Sequence, residues 1–364
     1  MKYKLEDICI KITDGSHYSP IDDPTSSIPM LSVKDMEEFD FNYNNCKHIS
    51  EKEYNKMLKN DCVPKLYDVL VAKDGSYLKE IFVNAKENKK AILSSIAIFR
   101  PNQDIVDPYF LCYLLKTPMI LNYVKDNCVS GSALPRIILR AFKGIELMIP
   151  EIKIQRRIVK IIKNINDKIK INNKINNNLY KLIENNYESL INNCNWKKVE
   201  LGTISNITSG KRPIDKSTTG EYPVIGANGI MAYTSNFNFN EDLIITGRVG
   251  TLGVVRRYLD KIWASDNTLV IQTKYLNYIE NYLKNIDYYS LNRGSTQPLL
   301  TQGDLKKQII HFNEEMVGKF EKENQMFVEK IRNNENENLM LEQLRDTLLP
   351  KLINDEIDLD NIEI

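Results

Sequence analysis

Histidine and tryptophan are scarce: the 364-residue chain has three of one and two of the other. Three histidines leave little for imidazole metal sites or general-base chemistry. Cysteine is also sparse. The six, at positions 9, 46, 62, 112, 128 and 194, include no C-x-x-C, a spacing that fits reduced thiols in a cytoplasmic protein better than a disulfide or zinc framework. No apolar run reaches the ~18 residues a membrane span requires, and residues 1–7 are charged with no signal-peptide core behind them. Charge excess is missing too. Forty-nine Lys and Arg against 48 Asp and Glu leave a formal net charge of +1, which argues against a uniformly basic polyanion binder. What is there is ordinary: 42% hydrophobic and 27% charged residues, the profile of a folded globular protein long enough for two or three domains.

The first positive signal is an internal repeat. Leu5-x-x-Ile8 leading to Ile12-Thr13-Asp14-Gly15 is answered by Leu201-x-x-Ile204 leading to Ile207-Thr208-Ser209-Gly210. Asp68-Val69-Leu70-Val71 before Gly75 is answered by Asp242-Leu243-Ile244-Ile245 before Gly250, and Gly131-Ser132-Ala133-Leu134-Pro135 by Gly294-Ser295-Thr296-Gln297-Pro298. Beyond these, Leu179, Leu182 and Leu190 match Leu341, Leu344 and Leu352 at a constant offset of 162. Four matches in one order define two related halves. Each half opens with β-rich runs (68–72 and 92–99; 243–246 and 268–271) broken by Gly, Pro, Asn and Ser, the pattern of a mixed α+β domain. Each then closes with a long proline-poor stretch that reads as a helix.

In the first helical stretch Ile154, Ile158, Ile161, Ile165, Ile175, Leu179 and Leu182 fall at steps of three and four or sums of them; in the second Met316, Phe320, Phe327, Leu341, Leu344 and Leu348 do the same. That is a coiled-coil seam. Residues 151–198 carry 11 basic and 4 acidic side chains, and 313–364 carry 6 and 14. Opposite charge favours packing of the two helices on each other, the alternative being two independent solvated faces. Asn172 and Asn334 interrupt the seam at matching positions near mid-rod, where an antiparallel pair would bring them together as helix-pairing residues; general asparagine richness of the segment is the alternative. The expected fold is therefore α+β, with two pseudo-repeated mixed α/β domains separated by a pair of long antiparallel coiled-coil helices. The expected boundaries are 1–150, 151–195, 196–312 and 313–353, with an acidic tail at 354–364.

Catalytic patterns are missing. There is no phosphate-binding G-x-x-x-x-G-K-[ST], no H-E-x-x-H and no G-x-S-x-G. Gly247-Arg248-Val249-Gly250-Thr251-Leu252-Gly253 is glycine-spaced, but a strand resumes directly after it where a phosphate site needs a helix, so a tight β-turn is expected. Asp74 with Glu87-Asn88-Lys89 resembles the loose acidic pattern of metal-dependent endonucleases, although a solvated turn accounts for the same residues. What remains suits recognition: Arg and Lys for phosphates and guanine edges, Asn and Gln for adenine, Ser and Thr as adaptable partners. In the first half the repeat-matched loops offer Thr13, Ser16, His17, Lys73, Ser76, Tyr77, Ser132 and Arg136 as DNA-binding candidates. In the second they offer Lys211, Arg212, Asn228, Arg248, Thr251, Arg293, Ser295 and Gln297. No metal-binding or catalytic residue is expected.

With those motifs in view the sequence resembles the specificity subunits of type I restriction-modification systems, over nearly its whole length. Thr13-Asp14-Gly15-Ser16-His17 resembles the opening of a target recognition domain; Tyr222-Pro223-Val224-Ile225-Gly226-Ala227-Asn228-Gly229, Gly247-Arg248-Val249-Gly250 and Trp263-Ala264-Ser265-Asp266-Asn267 resemble its middle. Ile149-Pro150 with Gln155 and Ile158 is similar to the family's junction from domain to helix, and Leu344-Arg345-Asp346-Thr347-Leu348-Leu349-Pro350 to its carboxy-terminal signature. The resemblance implies two target recognition domains reading the halves of a bipartite asymmetric site in double-stranded DNA, with the helices as spacer and docking site for two methyltransferase subunits. It implies no cofactor in this chain: S-adenosylmethionine would belong to the methyltransferases, and ATP and magnesium to a restriction and translocase subunit. The chain would be cytoplasmic, non-catalytic and a weak DNA binder alone. The second junction, Ile310-His311-Phe312-Asn313, departs from the pattern in lacking the proline and glutamine. A stand-alone endonuclease and a coiled-coil adaptor without DNA contact are the alternative readings.

Overall fold

The computed structural model describes residues 1–74, 78–130, 136–192, 196–354 and 356–357. Two compact units make up the chain: residues 1–168 with 340–364, and residues 169–339. The division runs through both long helices, Ile152–Asn192 and Glu314–Ile353, where the sequence pattern suggests cuts at their ends.

In the first unit the valine- and isoleucine-rich runs build a four-stranded antiparallel sheet. Its order is Cys9–Asp14, Ile96–Pro101, Val69–Ala72, Ile81–Val83. A three-stranded sheet pairs Ile28–Leu31 antiparallel with Lys47–Ile49 and parallel with Ala91–Ile92. The single run expected over 92–99 is thus two strands in two sheets, because Leu93-Ser94-Ser95 turns the chain from one to the other. Local chemistry sets the helix starts. Ser50 caps Glu51–Lys59 by accepting from the Glu53 N–H, and Asp107 caps Pro108–Leu115, where proline's fixed φ and missing N–H suit the first turn. Leu5, Ile8, Val71, Phe99, Phe110 and Leu111 form the core with Ile158, Ile162, Leu349 and Leu352 from the long helices. Each such side chain contributes about 1.5–3 kcal/mol on full burial.

The second unit repeats the topology. Its four-stranded sheet runs Asn206–Ser209, Thr268–Gln272, Leu243–Gly247, Val255–Tyr258, all antiparallel. Its three-stranded sheet pairs Tyr222–Gly226 antiparallel with Gly229–Thr234 and parallel with Trp263–Ala264. Between Gly247 and Val255 the structure has a long hairpin loop, not the expected tight turn; Gly250 and Gly253 adopt φ of +85° and +81° there, which favours glycine. In both units the first strand closes on the last strand before the long helix: Lys2–Lys4 on Glu146–Met148, and Lys197–Glu200 on Ile309–Phe312. Each domain therefore begins and ends at one clasp.

The helix seam differs from the purely hydrophobic reading. The buried line on the first helix passes through Ile158, Ile162, Ile165, Ile169, Asn172, Asn176, Ile183 and Tyr187. Ile154, Ile161 and Ile175 flank it, and Leu182 is exposed. On the second helix Val317, Phe320, Ile331, Asn334 and Asn338 are buried, whereas Leu344 is exposed. The cause is polar pairing: asparagines occupy seam positions because they bond to one another. Asn172 donates to Asn338 at 2.9 Å and Asn334 to Asn176 at 2.7 Å. The helices run antiparallel, and the partner of each expected pairing residue lies one turn along from the other.

Candidate nucleic-acid interface

In each unit four loops converge at one end of the four-stranded sheet. In the first, the Gly15 N–H donates to Ile96 O at 3.0 Å and the Ser16 N–H to Ile92 O at 2.8 Å; the Lys73 N–H donates to Ser95 O, and Lys73 O accepts from Ile137. In the second, the Gly210 N–H donates to Thr268 O and the Lys211 N–H to Ala264 O; the Arg248 N–H donates to Asn267 O, and Arg248 O accepts from Leu300. Two sets of four bonds match one for one. Gly15 therefore answers Gly210, and Lys73 answers Arg248. Glycine is required at the first pair, because an added Cβ would lie 2.4 Å from Ile92 O at Gly15 and 2.1 Å from Ser265 O at Gly210.

The first unit's candidates are largely engaged internally. Lys73, expected to face DNA, is buried, and its ammonium lies 2.5 Å from the Asp14 carboxylate. This corrects its reading as a free contact: strand geometry turns the side chain inward, and a buried ammonium needs an anion. The exposed His17 ring lies 3.2 Å from the other Asp14 oxygen. Ser16 is also buried, and its hydroxyl donates to Tyr18 O. Thr13 is half-buried within the strand, and the exposed Arg136 pairs with Asp74 at 3.0 Å. Ser76, Tyr77 and Ser132 lie outside the described residues.

The second unit presents its candidates together. Lys211, Arg212, Asn228, Thr251, Arg293, Ser295 and Gln297 are exposed, and Arg248 is half-buried. Loop 293–300 is held against loop 247–250 by the Gly250 N–H donating to Pro298 O at 2.9 Å. The turn carrying Asn228 adjoins the same place, since a Cβ on Gly247 would lie 3.1 Å from the Ala227 methyl. Arg293 is held in a fork by Asp304, at 2.8 and 3.2 Å, and this guanidinium lowers the Asp304 carboxyl to about 2. Arg248 donates only to a carbonyl, Asp266 O, at 3.1 Å. Among the described residues no carboxylate pairs with Lys211, Arg212 or Arg248. These three cations are available to an external anion.

Two features have no counterpart in the sequence reading. Beside the Asn228 turn lies a cleft of about 860 Å³ carrying Arg256, Tyr222 and Lys261; the Lys261 ammonium sits 4.8 Å from the Phe237 ring centre. No sequence spacing marks that cluster. The second is how the domains attach to the helices. Gln155 accepts from the Asp107 N–H at 2.9 Å and donates to the Ile105 and Pro150 carbonyls. The second junction lacks that glutamine, and Glu321, one helical turn further in, takes over. Its carboxylate accepts from the N–H groups of Asn277 and Tyr278 at 3.1 and 2.8 Å, at the start of helix Leu276–Lys284. Burial raises the Glu321 carboxyl above the usual range while these donors oppose the shift.

The endonuclease pattern is not assembled. Asp74 pairs with Arg136 and Lys89 with Glu51, and the described residues include no group of three or more His, Cys, Asp or Glu placed to hold a metal ion. Among the described residues no helix is long and apolar enough to cross a membrane. Two copies of one mixed-sheet domain, each ending in a polar loop cluster and each set on an antiparallel helix pair, define a recognition module. The type I restriction modification DNA specificity domain matches residues 1–181 and 193–314, and the chain belongs to that family. Its function is DNA sequence recognition within a multi-subunit complex, in which catalysis lies with other subunits. The chain is 26% identical over 313 residues, 72% of each chain, to the type I restriction enzyme MjaIX specificity subunit of Methanocaldococcus jannaschii. It is 30% identical over 120 residues to the HindI specificity subunit of Haemophilus influenzae, covering 33% of this chain and 26% of that one. The fold is similar to that of the S subunit of a type I restriction-modification system from M. genitalium, with a TM-score of 0.56 at 15% identity over 97% of this chain and 95% of that one.

Proposed function

We propose that each domain is a target recognition domain reading one half of a bipartite asymmetric site in double-stranded DNA, and that the helix pair docks two methyltransferase subunits. Those subunits supply S-adenosylmethionine, and a restriction and translocase subunit that joins them supplies ATP and magnesium chemistry; all act in the cytoplasm. The carrying observation is one topology with two loop chemistries. Lys73, neutralised by Asp14, occupies the place that Arg248 occupies unneutralised. Equal frames with unequal loops suit two different half-sites, because phosphate contacts position a domain while side chains on base edges specify sequence. Mapping methylated adenine in genomic DNA with and without the protein, in the presence of its methyltransferase subunits, tests this. Loss of one bipartite motif is expected; an unchanged methylation pattern counts against the proposal.

A further inference from the structure

The chain has two tryptophans, and each commits its indole N–H to a backbone carbonyl. Trp196 donates to Ile191 O at 3.0 Å, and Trp263 to Lys211 O at 2.7 Å. Trp263 is 7% exposed, whereas Lys211 is exposed. The Lys211 N–H in turn donates to Ala264 O at 2.9 Å. Neighbouring residues of one short strand, Trp263–Ala264, thus hold both polar groups of the Lys211 backbone. The first unit holds the matching peptide by other means. There Ser16 stands where Lys211 stands; its N–H donates to Ile92 O at 2.8 Å, and its carbonyl accepts from the Ser94 N–H at 2.9 Å. Ala91 takes the place of Trp263, pairing in parallel with Met30 as Trp263 pairs with Val224. A methyl group donates nothing, so a backbone N–H does in one unit what an indole does in the other.

The segment that holds Lys211 is itself fixed. Asn238 donates to Ala264 O at 3.0 Å and accepts from the Ala264 N–H at 2.8 Å, and the Ser265 N–H donates to Ile225 O at 2.9 Å. From its far end hangs Arg248, whose N–H donates to Asn267 O and whose guanidinium donates to Asp266 O. Five consecutive residues, 263–267, therefore set the places of two cations that belong to different loops. We propose that Trp263 is a positioning residue for sequence recognition: its indole N–H fixes the backbone from which Lys211 and Arg212 reach DNA, and so sets base choice in the second domain's half-site. The proposal rests on the recognition reading above. Buried indoles commonly find an acceptor, which accounts for a bond but not for this one. Here the acceptor is the backbone of a recognition-loop residue, and its counterpart in the other unit is held by unrelated atoms. Side chains that discriminate base edges need an anchored backbone, because a shift of about 0.5 Å already spoils the contact geometry.

The test uses Trp263→Phe, which removes the N–H and keeps an aromatic ring, in the full chain assembled with its methyltransferase subunits. Trp196→Phe removes an equivalent bond away from the loops and is the control. A photocrosslinking residue in place of Asn228 marks the half-site that lies against the second domain. Discrimination is measured as the ratio of methylation rates on the target and on targets carrying one wrong base in either half. Trp263→Phe is expected to lower that ratio by about two- to tenfold in the marked half-site, and to raise amide exchange over residues 209–212 by a similar factor. The other half-site and the control are expected to match wild type. Unchanged discrimination overturns the proposal even where the melting temperature falls, since a purely structural tryptophan gives that result. Equal loss in both half-sites, or the same loss in Trp196→Phe, overturns it too. If the wild-type complex has no bipartite target, the recognition reading itself fails, and the proposal with it. Should Trp263→Phe not fold, benzothienylalanine in place of Trp263, which carries sulfur where tryptophan carries N–H, removes the donor alone and is read in the same way.

Discussion

Asp14 holds the ammonium of Lys73 at 2.5 Å, with Lys73 buried and Asp14 half-buried. The matching strand end in the second unit carries Ser209, whose hydroxyl accepts from Gln302 at 2.7 Å. The matching cation, Arg248, has no carboxylate partner among the described residues. Two positions identical in backbone bonding therefore differ in the charge they offer. For the assembled complex, Arg248→Ala is expected to weaken DNA binding and to lower the slope of log affinity against log salt by about 0.9 for each phosphate it no longer neutralises. Lys73→Ala is expected to leave that slope unchanged and to lower stability by about 1–3 kcal/mol, since Asp14 stays behind with its buried partner gone. Anisotropy titrations at several salt concentrations, beside urea unfolding, separate the two.

Glu321 reaches from the second long helix to the start of helix Leu276–Lys284, satisfying two N–H groups that the helix itself cannot. Glu321→Ala is expected to destabilise by about 1–3 kcal/mol. Glu321→Gln keeps one acceptor oxygen but sets an NH2 against the other N–H, so it is expected to cost less than the alanine variant without restoring the wild-type stability. Chemical denaturation of both variants checks the order.

Lys90 is 1% exposed, and its ammonium donates to Lys86 O and Asn88. Burial lowers it to about 8. Its unfolded value is ~10.4, so between about 8 and ~10.4 the unfolded chain binds a proton that the folded chain has released, and stability rises with pH across that window. Below it the cost of burying the charge is fully present. Lys90→Met is expected to stabilise the chain by about 1–3 kcal/mol at neutral pH, with the gain fading from pH about 8 upward and lost above pH ~10. Unfolding midpoints on both sides of the window test the sign.

Glycines of opposite kind give a paired prediction. Gly210→Ala forces a Cβ to 2.1 Å from a backbone oxygen, an overlap expected to destabilise by about 1–3 kcal/mol or more. Gly318 lies inside the second long helix with nothing within 4 Å of an added Cβ, and Gly318→Ala is expected to stabilise by about 0.5–1 kcal/mol. Thermal melts of the two variants should move in opposite directions.

The repeat, the mixed domains and the long helices are legible in the sequence because their signals are local: turn residues between β-branched runs, and three- and four-residue steps without proline. The seam is less so. Hydrophobicity alone selects Leu182 and Leu344, which are exposed, and passes over Asn176 and Asn338, because the worth of an asparagine depends on what the opposite helix supplies. The same limit applies to the loops. Composition marks Lys73 and Arg248 alike, while the difference between them lies in Asp14 and Ser209, about sixty and forty residues away in sequence. Glu321 leaves no sequence signal, since its partners are backbone groups of another helix.

The strand clasps have a consequence for inheritance. Because residues 2–4 pair with 146–148, and 197–200 with 309–312, each domain's two ends lie side by side. Two crossovers in the coding sequence, one at each strand of a clasp, would exchange a whole domain as a cassette without altering the helices. A lineage could then acquire a new target through a single recombination rather than by stepwise mutation, leaving its partner subunits unchanged.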